Sequence, residues 1–174
     1  MESNVGKAKE AISKIFSNIL SLFSNDIGID LGTATTLVYA GAVAGTGTLT
    51  KSGTGTFQRL TNALSLGGAF TITAGTYDAN TLATTVTGLT TVSGGTYSAS
   101  SATQTFNGGL TISGGTFTGA INSLVDVDGD VILSSGTLTA PGSSGTFYIE
   151  GSFTRGALGT SGTFTTSSGS TVTF

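Results

Sequence analysis

Three aspartates spaced two residues apart, Asp126, Asp128 and Asp130 in VDVDGD, are the densest group of potential metal ligands in the chain. On a strand that spacing puts all three carboxylates on one face, with Val125 and Val127 opposite, and a calcium ion could sit between them. The EF-hand pattern is not met, because Gly129 falls between the second and third aspartate and Thr137 stands where the bidentate glutamate belongs. The expected reading is a solvated strand end and turn, with no metal. The other acids beyond residue 46 are Asp78 and Glu150, and the bases are Lys51, Arg59 and Arg155. Their spacing suggests no carboxylate pair across a cleft of the kind glycoside hydrolysis needs. Histidine and cysteine are absent, which removes imidazole acid–base chemistry, thiol nucleophiles, disulfides and the usual zinc ligands. No catalytic residue and no cofactor are expected.

Tyr77 and Tyr97 lie one repeat apart and could form an aromatic platform for a sugar. Their alignment with Phe117 and Leu138 favours a ladder inside a core. That alignment belongs to a period that runs through most of the chain. Rows starting at Gly47, Gly68, Gly88, Gly109, Asp130 and Ser152 repeat every 20–22 residues, with Gly-Thr-apolar anchors in register at Tyr77, Tyr97, Phe117 and Leu138. A second set, Val86, Phe106 and Val127, precedes the next row's start. Within each row, Val, Ile, Leu and Phe alternate with Thr and Ser, the period-two pattern of strands. One row cannot bury its own apolar face, whereas stacked rows form a continuous core.

The fold expected is therefore mainly β: a right-handed β-solenoid of about six coils, roughly 29 Å tall at the usual strand spacing. Inward positions are apolar, and outward Thr, Ser and Asn form side-chain ladders. An antiparallel sandwich of hairpins is the rival, and it does not require this register. Only 9% of residues are charged, a disordered composition were it not for the alternation. The net charge of −3 excludes a general nucleic-acid binder, and no apolar run is long enough to span a bilayer.

Residues 1–26 differ from the rest. Ala8, Ile12, Ile15, Phe16, Ile19, Leu22 and Phe23 recur at three- and four-residue steps, the mark of an amphipathic helix. It is expected to cap the solenoid. Lys7, Lys9 and Lys14 beside Phe16 and Phe23 also permit contact with a membrane surface, while a signal peptide is disfavoured by Ser17, Asn18 and Ser21 inside the apolar stretch. Residues 27–46 then form a hairpin or first coil, and residues 47–174 the repeats. Ending in GSTVTF, the last coil is expected to self-associate through its exposed edge.

The stretch LFSNDIGIDLGTATTLVYA, residues 22–40, resembles the N-terminus of the MreB family of bacterial actins. In that family Asp-Leu-Gly-Thr-Ala-x-Thr is the first phosphate-binding loop. The resemblance implies that Asp30 stands near a magnesium ion and that Gly32, Thr33, Ala34 and Thr35 offer donors to ATP phosphates, in a cytoplasmic protein of cell shape. It covers about nineteen residues, or some forty with the helix. No second phosphate loop or adenine pocket follows, so hydrolysis is not expected. The later rows, such as GTGTLTKSGTGTF and LTISGGTFTGAI, resemble the autotransporter-associated repeats of bacterial surface proteins. That resemblance implies a structural or adhesive protein at the cell surface.

Overall fold

The structure, a computed structural model, describes residues 27–30, 36–39, 41–156 and 161–174. The helix expected over residues 1–26 and the loop 31–35 lie outside the described residues. Everything described is strand, turn or bend, wound as a β-solenoid of about six turns. The first coil holds β1 (Ile27–Asp30), β2 (Thr36–Tyr39) and β3 (Val43–Gly45), and the second β4 (Leu49–Ser52), β5 (Thr56–Arg59) and β6 (Leu64–Leu66). The third holds β7 (Phe70–Ile72), β8 (Thr76–Asp78) and β9 (Thr84–Val86), and the fourth β10 (Thr90–Val92), β11 (Thr96–Ser98) and β12 (Gln104–Phe106). Two long strands then each cover two sides of a coil: β13 (Leu110–Thr118), followed by β14 (Leu124–Val127), and β15 (Val131–Thr139), followed by β16 (Thr146–Ile149). The last layer holds β17 (Phe153–Arg155), β18 (Thr163–Thr165) and β19 (Thr171–Thr173).

Every ladder is parallel and joins a strand to its counterpart one coil away, which gives three faces. Face one stacks Leu49, Phe70, Thr90, Leu110, Val131 and Phe153. Face two stacks Leu37, Phe57, Tyr77, Tyr97, Phe117, Leu138 and Phe164. Face three stacks Leu66 on Val86 and Val86 on Phe106. The antiparallel rival is thereby excluded. The anchors at Tyr77, Tyr97, Phe117 and Leu138 sit in the register the period predicts. One row boundary moves: Leu110 pairs with Thr90, so Gly108, not Gly109, stands over Gly88.

Alternation explains the core. The inward residues of all three faces, from Leu49 through Phe70, Tyr97, Phe117 and Val127 to Phe147, are fully buried and form one continuous cluster. Aromatic side chains fill its middle, with Tyr97 and Phe117 stacked at 4.9 Å and Phe70 edge-on to Tyr77 at 5.0 Å. Corners rest on residues that accept a left-handed backbone. Gly95 has φ +68°, and a Cβ there would collide with the backbone of Gly75 one coil below. Asn80, at φ 57°, holds its corner by donating its backbone N–H to Asp78 Oδ1 at 2.8 Å.

The outward side of face two has a regularity that composition alone does not display. The residue before each inward anchor is threonine in all seven layers: Thr36, Thr56, Thr76, Thr96, Thr116, Thr137 and Thr163, each paired with the next. Two residues on, the outward column reads Val38, Gln58, Asp78, Ser98, Thr118, Thr139, Thr165.

Candidate functional site

Asp30 is exposed at the end of β1, where it pairs with Ser52 of the next coil. Its companions by resemblance, Gly32, Thr33, Ala34 and Thr35, lie outside the described residues. β1 and β2 run their ladders to β4 and β5, the arrangement of a first coil.

Asp126 lies on the outward side of β14, and Asp128 and Asp130 follow in the turn. Asp130 Oδ1 accepts the backbone N–H of Ser152 at 2.8 Å. Burial raises the Asp126 carboxyl above the ordinary range, and the charge of Asp128 adds to this. Among the described residues no three acidic side chains converge as a metal site.

Tyr77 and Tyr97 are fully buried, with ring centroids 5.0 Å apart, so they form a core ladder and offer nothing to a sugar. Their hydroxyls face inward into a small polar seam. Tyr77 and Thr84 share a hydrogen bond of 3.0 Å, and Tyr97 donates to Gln104 Oε1 at 2.6 Å. Gln104 Nε2 in turn reaches Ser100 Oγ at 3.1 Å and the carbonyl of Leu82 at 3.1 Å. Burial pushes Tyr77 up to about 12 and Tyr97 well above its usual value.

Two cations inside the second coil escaped the sequence reading. Lys51 is fully buried, and its ammonium donates to the carbonyls of Ser52, Gly53 and Ala74 at 2.6, 2.8 and 3.1 Å. Burial lowers its pKa, opposed by the charge of Asp30. Arg59 is also fully buried: Nη2 donates to Gly41, Asn62 and Ala63 carbonyls, while the guanidinium lies 5.3 Å from the Tyr39 ring centre. Its Nη1 has no hydrogen-bond partner. Parity was the available signal, since Lys51 stands two residues after Leu49 and Arg59 two after Phe57, both inward positions. These groups close turns.

The remaining chemistry is at the last layer. Among the described residues β17, β18 and β19 each have a ladder partner on one side only. Phe153 stands 5.3 Å from Phe164 and 6.3 Å from Phe174, and Phe174 is 74% exposed. Strands laddered on one side beside apolar rings have the chemistry of strand addition, and among the described residues β1, β2 and β3 are also laddered on one side only.

The fold and this end define a class, the β-solenoid repeat proteins. Compared with protein-family models, curated proteins and solved structures, the chain matches none.

Proposed function

We propose that this chain is a non-enzymatic structural repeat protein that self-associates through its last coil. The observation that carries the reading is the layer β17–β19, each strand laddered on one side only among the described residues, with Phe153, Phe164 and Phe174 beside it. A second copy added there continues three parallel ladders and buries the apolar cross-section, the same interaction that joins each coil to the next.

Sedimentation velocity across a concentration series tests it. The 174-residue chain is expected to form dimers or larger species. Val172→Lys, which places a charge in the last layer opposite Phe147, and Phe174→Lys, at the most exposed ring, are expected to shift the distribution to monomer. A wild-type chain that stays monomeric throughout, or variants that associate equally, would overturn the reading.

A further inference from the structure

We propose that face two is an ice-binding surface, recognising the oxygen lattice of crystalline water through its threonine ladder. The argument starts from spacing. Parallel neighbours lie about 4.8 Å apart across the ladder, and outward residues i and i+2 lie about 6.6 Å apart along each strand. The oxygen lattice on a prism face of hexagonal ice repeats at comparable distances. Seven layers in unbroken register make the threonine column roughly 29 Å long, and Thr118, Thr139 and Thr165 add a second column over its last three layers.

The side chains suit that partner. Threonine is β-branched and stiff at χ1, so hydroxyl and methyl keep fixed positions and little entropy is lost on binding. The ladder threonines of the inner layers are half-buried, yet among the described residues no side-chain hydrogen bond engages the hydroxyls of Thr56, Thr76, Thr96, Thr116 or Thr137. They are free to bond water held between the rows. Face one differs. Its outward column runs through Thr50, Thr71, Thr91 and Thr111 before Ile132 interrupts it, and just beyond the strands Thr73 and Ser93 donate to the Lys51 and Ile72 carbonyls, both at 3.3 Å.

Charge points the same way. The two outward columns of face two contain one ionisable group, Asp78, and its carboxylate already accepts Gln58 Nε2 at 2.7 Å and Asn80 N–H at 2.8 Å. A periodic face whose single carboxylate is already engaged suits an uncharged, periodic solid better than an ionic partner. A crystalline polysaccharide would call for aromatic platforms, but Phe57, Tyr77, Tyr97 and Phe117 behind this face all point inward and are buried.

The test is thermal hysteresis and ice-crystal shape, measured on the full 174-residue chain. The wild type is expected to facet growing crystals and to open a gap between freezing and melting. Thr96→Lys with Thr116→Lys, both outward, should keep the far-UV spectrum and abolish the gap. The matching pair on face three, Thr85→Lys with Thr105→Lys, should retain it. Thr96→Ser with Thr116→Ser keeps the hydroxyls and the fold while removing two methyls, and should narrow the gap. Round crystals with no hysteresis from the wild type, or full hysteresis from either face-two pair, would overturn the proposal. So would wild-type pelleting with microcrystalline cellulose, lost in the face-two pair, without any effect on ice.

Discussion

Tyr97 shows what one inward polar atom demands. Its hydroxyl and Gln104 Oε1 are both sealed from water and satisfy each other at 2.6 Å. Tyr97→Phe keeps the stacked ring and strands the Gln104 acceptor, so urea denaturation should report a loss of about 1–3 kcal/mol. Alkaline titration separates the buried cation from the buried phenols. Lys51 titrates lower in the fold than its ordinary 10.5, so between those values the unfolded chain holds more protons and stability rises with pH. Tyr77 keeps its proton up to about 12, whereas the unfolded phenol loses it near 10, so stability falls across that interval. Urea midpoints should therefore climb as pH approaches 10 and then drop. Lys51→Met is expected to remove the climb and leave the drop; an unchanged profile in that variant would assign the climb to another group. The tyrosine ladder was legible in the sequence because Tyr77 and Tyr97 share a period with Phe117 and Leu138. Lys51 and Arg59 were not, because a lone cation among threonines looks solvated until strand parity is counted.

At the scale of the strand, stability depends on layers meeting in register. Phe117 lies against Tyr97 at 4.9 Å and Phe106 at 5.9 Å, between β11 and β15. Phe117→Ala opens a void that rigid neighbouring rungs cannot close, and thermal or urea unfolding should show a cost of about 3–5 kcal/mol. A cost near that of a surface change would mean the rings are not packed as described. The sequence showed that coils exist and which apolar residues align, because glycine corners and Gly-Thr-apolar anchors recur. It misplaced one row boundary, since Gly108 and Gly109 are adjacent and only the ladder decides which of them stacks on Gly88. It also gave no sign that the last step is longer, with Thr137 pairing Thr163 rather than a residue 20–22 positions on.

At the scale of the molecule, parallel coils supply two surfaces with different physics: a side whose hydroxyls repeat with the strands, and a last described layer whose strands are laddered on one side only. The three-faced winding was legible only as a solenoid, because a period near twenty fixes the coil and not the number of sides. The amphipathic helix over residues 1–26 and its membrane contact fall outside the described residues. Both functional proposals rest on one claim, that each 20–22-residue repeat is one coil stacked in register on the next. Spin-label distances along the face-two ladder test it most directly. With labels on Thr56→Cys and Thr137→Cys, four layers apart, the account predicts a separation of about 19 Å. Moving the second label from position 137 to Thr163→Cys adds one layer, about 5 Å more. Separations that fail to grow by one strand spacing per repeat would contradict the stacked solenoid and both readings built on it.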